Sequence, residues 1–254
     1  VDCGRLRRAG AHTGRSVPVD GTHCQGWPTM IQGRRLAGLA LAVLISGRGS
    51  NMLAIARACA QREIDAQVVC VGSDRADAPG LDAARGLDLE AFALAPVSFA
   101  TREAHESALS ERLDAARPDL VILAGYMRIL GAKFVAHYRG RMLNIHPSLL
   151  PKFKGLHTHR RAIEAGETEH GCSVHFVTEE LDGGPVVLQG RIGMRAGEDA
   201  ESLSARVQAM EHILYSRAIG WMAAGRLVWH GDRPWLDGQA LAAPVVEDFD
   251  AETC

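Results

Sequence analysis

The feature that most limits the fold is an apolar run, Leu39-Ala40-Leu41-Ala42-Val43-Leu44-Ile45, that breaks at once into Ser46-Gly47-Arg48-Gly49-Ser50-Asn51. A short run that is apolar at every position suits a strand covered on both faces. The glycines predict a turn, after which Leu53, Ala56 and Ala60 recur near helical spacing. Strand, turn and helix are the opening of a βαβ unit, and the pattern repeats. Strands are expected at 67–72, 89–94, 119–124 and 140–143, with helices up to Arg85, over 99–117 and over 132–137. Such alternation implies an α/β protein with a doubly wound, mostly parallel sheet. Beyond it, 171–177 and 186–192 read as a hairpin-like antiparallel extension on the C-terminal side of the sheet. Leu203, Val207, Met210, Leu214, Ala218 and Trp221 then mark a long amphipathic helix.

Residues 1–37 are rich in Gly, Arg, Thr and His and have no apolar period, so they read as a disordered leader. Residues 38–238 read as one domain and 239–254 as a loose acidic tail. The formal net charge of −2 supplies no field to hold nucleic acid nonspecifically. No segment is long and apolar enough to promise a membrane span. The six cysteines show no C-x-x-C spacing and read as reduced thiols of a cytoplasmic protein.

Chemistry is expected where strands end. The strand over 140–143 stops at Asn144-Ile145-His146-Pro147-Ser148-Leu149-Leu150-Pro151, and two prolines exclude a regular helix between them. Open α/β sheets bind ligands at such carboxyl ends, near the point where the winding reverses. The ends at 46–51, 125–130 and 144–151 are therefore expected to face one crevice. His146 can titrate near neutral pH. Asn144 lies two residues earlier on the same side of an extended chain and can donate to a developing oxyanion. Ser148 sits in no G-x-S-x-G elbow and reads as structural. The glycine loop opens a helix, where free N–H groups attract anions. It lacks the third glycine of the dinucleotide fingerprint and the G-K-[ST] of a P-loop. On the residues alone, a polar strand end with a capped turn describes 144–151 equally well, and most such glycine loops are only tight turns.

Four motifs occur in order: G-x-G-S-N after the first strand, G-Y-M-R-I-L at 125–130, N-I-H-P-S-L-L-P at 144–151 and E-L-D-G-G-P at 180–185. Together they resemble the folate-dependent formyltransferases over about residues 39–238. The G-S-N loop and V-Q-A-M-E-H at 207–212 resemble the members that act on glycinamide ribonucleotide. The resemblance implies a Rossmann-like formyltransferase fold, as a monomer or homodimer. It implies transfer of a formyl group from 10-formyltetrahydrofolate, a co-substrate, to the amine of glycinamide ribonucleotide in de novo purine biosynthesis, without a metal. It makes Asn144, His146 and Asp182 catalytic. Gly49, Ser50 and Asn51 would hold the ribonucleotide phosphate, and Gln208 and Glu211 its sugar and glycinamide end. Met127, Arg128, Ile129 and Leu130 would line the pterin pocket with Asn144 and the loop Thr178, Glu179, Glu180, Leu181 and Asp182. Arg102 would meet the carboxylate tail of the folate. Without the resemblance, Glu211 reads as part of a solvated helix face and Arg102 as an ordinary surface arginine.

Rival readings follow from the same residues. A methionyl-tRNA formyltransferase would share the catalytic trio but resembles this core with a basic C-terminal domain, whereas the C-terminal stretch here is acidic. A formyltetrahydrofolate hydrolase would carry an N-terminal regulatory domain longer than 1–37. A metal-dependent hydrolase would use His146, His157, His159 and Asp182, although no H-E-x-x-H exists. A non-catalytic nucleotide-binding module would need neither Asn144 nor His146.

Overall fold

The apolar run becomes strand β1 (Leu39–Ile45), with every residue from Ala40 onward buried. It pairs in parallel with β2 (Ala66–Ser73) on one side and β4 (Leu120–Leu123) on the other. Its alternate side chains feed two cores. Leu41, Val43 and Ile45 join one buried cluster, and Ala42 and Leu44 join the other. That two-faced burial is why the strand is apolar throughout. The computed structural model describes residues 38–249. The expected leader over 1–37 and the last residues of the expected tail lie outside the described residues.

The parallel part is completed by β3 (Ala91–Ala93) beside β2 and β5 (Met142–His146) beside β4. Next come β6 (Glu169–Phe176), antiparallel to β5, and β7 (Val186–Gly193), antiparallel to β6. With β11 (Val245–Asp248) the order is β11-β7-β6-β5-β4-β1-β2-β3. The winding reverses between β1 and β4, so the ends of β1, β4 and β5 share one edge. Helices α1 (Ser50–Ala60), α2 (Pro79–Arg85), α3 (Arg102–Ala116), α4 (Ala132–His137), α5 (Thr158–Glu164) and α6 (Ala200–Ala223) fill the connections. The buried Tyr215 hydroxyl of α6 lies 3.1 Å from the Leu123 carbonyl and 2.9 Å from that of Leu143, which pins the helix to β4 and β5. A separate antiparallel sheet joins β8 (Leu227–His230), β9 (Arg233–Leu236) and β10 (Gln239–Ala240).

Three expectations need correction. The strand placed over 140–143 runs through Asn144 and His146 and stops at Pro147. Both polar residues sit inside the ladder, because β6 pairs Asn144 with His175 and His146 with Ser173. The helix expected from Phe99 begins at Arg102, where the Thr101 side chain accepts the Ala104 N–H as a cap. Residues 245–248, expected in a loose tail, form β11 in register with β7. Ion pairs from Arg191 to Asp248 and from Arg217 to Glu247 hold these acidic residues against the sheet.

Candidate active site

Strand β5 carries Asn144 and His146 on the same face, and each is held by partners on β6 or the loops. The Asn144 amide nitrogen donates toward His175 Nε2 at 3.0 Å. His175 Nδ1 lies 2.9 Å from the Phe176 carbonyl, which only accepts, so Nδ1 carries the proton. Burial holds the His175 ring neutral by pushing its pKa down. A neutral ring protonated at Nδ1 presents Nε2 as an acceptor, which fixes the orientation of the Asn144 amide. His175 was not singled out in the sequence. Its signal was available: it faces Asn144 across the β5–β6 pair, a position visible only once register is known.

His146 Nε2 lies 2.9 Å from the Phe153 carbonyl, and Nδ1 lies 3.4 Å from Asp182 Oδ2. A carbonyl partner requires Nε2 to be the donor. Asp182 has φ 48, and aspartate is among the few residues that adopt this left-handed conformation at modest cost. Its Oδ2 also accepts the Gly155 N–H at 2.9 Å, while Oδ1 faces His175 Nε2 at 3.8 Å. The expected approach of Asp182 to His146 is therefore present in the geometry.

The glycine loop builds a different kind of site. Gly49 has φ 71, and a Cβ there would meet Met52 Cε at 3.2 Å and Gly80 Cα at 3.3 Å. It is the N-cap of α1, which no side chain caps, so first-turn N–H groups stay available to an anion. Just inside, the buried Asn51 amide donates to Glu211 Oε2 at 2.8 Å, and Asn51 Oδ1 has no hydrogen-bond partner. Glu211 is buried rather than part of a solvated helix face, since α6 packs against α1. Burial pushes its carboxyl up to about 7, and the Asn51 bond offsets this only in part. Gln208 lies one turn earlier on α6 and is half-buried.

An open crevice lies beside Asn144, lined from the ends of β4, β5 and β6 and from the 178–182 loop. Asn144 and His175 form its polar wall. Arg128, Ile129 and Leu130 line one side and residues 178–182 the other. Met127 and Arg102 lie outside this lining. The Met127 side chain is 66% exposed while its N–H is held by Ser46 Oγ. Arg102 donates to Glu106 and to the Ile129 carbonyl, so it braces the crevice wall from outside. Ser148, read as structural, donates to the Lys152 carbonyl and is fully buried. His157 is exposed, and His159 Nδ1 lies 3.1 Å from His170 Nε2, whose pKa burial lowers to about 4. Among the described residues no three metal-binding side chains converge, so the rival ligand set of His146, His157, His159 and Asp182 is not assembled.

Comparison with known proteins shows what the chain as a whole is similar to. Residues 39–219 fit the formyl transferase family model. The phosphoribosylglycinamide formyltransferase of Escherichia coli is 52% identical over 201 residues, covering 79% of this chain and 95% of that relative. The trifunctional purine biosynthetic protein adenosine-3 of Homo sapiens is 40% identical over 185 residues, covering 73% of this chain and 18% of that larger protein. The solved phosphoribosylglycinamide formyltransferase of Coxiella burnetii superposes with a TM-score of 0.78 at 46% identity, covering 82% of this chain and 99% of the other. A family model that matches residues 39–219 and a relative 52% identical over nearly its whole length show that the chain belongs to the formyl transferase family.

Proposed function

We propose that this protein transfers a formyl group from 10-formyltetrahydrofolate to the primary amine of glycinamide ribonucleotide, in the cytoplasm, as a step of purine biosynthesis. The observation that carries the reading is the placement of Asn144, His146 and Asp182 around one point of the sheet edge, with His146 Nδ1 3.4 Å from Asp182 Oδ2. Relatives named for this activity support the choice of acceptor. The N–H groups at Gly49, Ser50 and Asn51 suit a phosphate. Asn51 Oδ1 and the Glu211 carboxylate suit donors such as sugar hydroxyls or an amine, with Gln208 beside them. The crevice beside Asn144 suits a flat ring: Leu123, Ile129, Leu130 and Val135 offer apolar contact, and Asn144, His175 and the 178–182 loop offer polar edges.

The folate supplies an activated formyl carbon, which the acceptor amine attacks to give a tetrahedral centre bearing an oxyanion. The Asn144 amide retains a second N–H for that oxygen, because only one is committed to His175. His146 Nδ1 is the ring nitrogen available to the reacting atoms, since Nε2 is spent on Phe153. Its separation from Asp182 exceeds that of a short charged hydrogen bond, which leaves the proton to be shared with the oxyanion. A proton must leave the amine and one must reach the departing folate nitrogen. The His146–Asp182 pair is placed to move both. No covalent enzyme intermediate is required.

The test is product analysis with purified protein and 10-formyltetrahydrofolate, offering glycinamide ribonucleotide and charged initiator tRNA together. Formyl label is expected on the ribonucleotide alone. Label on tRNA, or free formate without an acceptor, would move the reading to the tRNA enzyme or the hydrolase.

A further inference from the structure

Residues 152–157 form a loop whose successive backbone groups point alternately toward and away from the catalytic pair. The Phe153 carbonyl faces His146 Nε2, and the Gly155 N–H binds Asp182 Oδ2. The carbonyls between and around them are taken from outside. Ser148 Oγ donates to the Lys152 carbonyl at 2.6 Å. Arg161 Nη1 lies 2.6 Å from the Lys154 carbonyl and 3.3 Å from that of Leu156. The Arg161 guanidinium also sits over the Phe153 ring, 5.5 Å from its centre. His146 at Nε2 and Asp182 at Oδ2 are therefore both held by main chain that Arg161 grips.

The loop needs such a grip. Phe153, Gly155 and His157 have φ 55, 78 and 59, so every second residue is left-handed. Two of the three carry a Cβ, which makes the left-handed conformation costly there. Conformations of this kind persist only where surrounding contacts over-determine them. The ion pairs of Lys152 with Glu167 and Lys154 with Glu180 are exposed at one or both ends and contribute little. A guanidinium whose Nη1 reaches both carbonyls while its plane covers a ring is the more rigid tie.

We propose that Arg161 is a positioning residue for formyl transfer: its guanidinium clamps the 153–157 loop so that the Phe153 carbonyl and the Gly155 N–H hold His146 and Asp182 in register. This rests on the reaction proposed above. Arg161 lies on the exposed side of α5 and touches neither His146 nor Asp182, so it acts through the loop. Phe153 O orients the ring and keeps a proton on Nε2. Gly155 N–H fixes the carboxylate that faces Nδ1. His159, His170 and His175 also lie near enough to His146 for their charges to interact, and none of them contacts Arg161.

The experiment compares wild type with Arg161→Ala, an exposed change to a strong helix former. The expected result is a roughly tenfold fall in kcat, about the effect of loosening one charge-assisted hydrogen bond. KM for glycinamide ribonucleotide should stay within about twofold, and added guanidinium ion should restore part of the rate. Amide exchange at Gly155, read without substrate, should speed up in the variant, and this arm stands even if the acceptor proves to be something else. Arg161→Lys should fall between the two, because an ammonium can reach the carbonyls but cannot lay a plane over the Phe153 ring. A variant with wild-type kcat and unchanged Gly155 exchange would overturn the proposal. So would equal losses in kcat, KM and thermal midpoint without guanidinium rescue, the mark of a merely structural residue.

Discussion

The glycine loop and the His146–Asp182 pair lie along the same edge of the sheet, yet they are made from different materials. The loop is built from backbone. Its function needs a left-handed Gly49, an uncapped helix and close approach to Gly80, and only Asn51 contributes a fixed side chain. The pair is built from side chains with assigned partners on nearly every polar atom: His175 behind Asn144, Phe153 behind His146, Gly155 behind Asp182. Backbone sites are local in sequence and suit an anion that needs many weak donors. A site proposed to move a proton needs its groups fixed in place, and here they come from four separate segments: β5, β6, the 153–155 loop and the loop that carries Asp182.

If that contrast is right, damage to the pair should appear in turnover and damage to the loop in binding. The largest effect is expected from His146→Ala, which removes the proposed proton donor and one proposed oxyanion contact. A fall in kcat of about 10²–10⁴ is expected, with KM for the ribonucleotide changed by no more than a few-fold in steady-state assays. A large KM change with little loss of turnover would erase the distinction between the regions.

Glu211 sharpens the contrast, because it is a buried carboxyl serving the loop side. Its pKa is raised from 4.5 to about 7 by burial. A raised acid contributes stability that is fully present below its unfolded pKa and is lost as pH rises through the folded value. That contribution therefore disappears between about pH 4.5 and 7. Glu211→Gln, which stays neutral, should match wild type near pH 4.5. Above pH 7 it should be more stable by on the order of 3 kcal/mol, while binding the ribonucleotide more weakly. Denaturant melts at the two pH values check this; an equal difference at both would show that the carboxyl is ionised throughout.

The smallest effect should come from Gly49→Val. A β-branched residue at φ 71 is strained, and its Cβ crowds Met52 and Gly80. KM for the ribonucleotide should rise roughly tenfold, the equivalent of about 1.4 kcal/mol, with KM for the folate within about twofold. Equal rises for both substrates would mean that the loop braces the whole crevice.

The parallel half of the sheet was legible because its strands are apolar on both faces and bounded by glycine and proline; β1 and α4 begin and end where patterning places them. Elements held by distant partners were less so. The end of β5 was misplaced because the polar Asn144 and His146 interrupt an apolar run, and only pairing to β6 keeps them in a strand. Likewise Val245–Asp248 looks like an acidic tail until Arg191 and Arg217 are seen to lie beside it. Within the site, Asn144 and His146 stood out by type and spacing, whereas Asp182 was reached only through the resemblance. Their supports did not, because His175 and Arg161 act through register and backbone carbonyls that no motif records. Glu211 could not be told from a surface acid until α1 was packed against α6.

The pairing of Asp182 with His146 is the central claim, and the kcat of Asp182→Asn, measured alone and combined with His146→Ala, tests it most directly. Asparagine keeps the shape and can still accept the Gly155 N–H, but it removes the carboxylate that lies 3.4 Å from His146 Nδ1. The single variant should lose at least roughly tenfold in kcat, the equivalent of about 1.4 kcal/mol, and the double variant should lose less than the product of the two single losses, because residues that act as a unit are not additive. An Asp182→Asn variant with the wild-type kcat, or a double variant whose loss equals that product, would contradict the pairing.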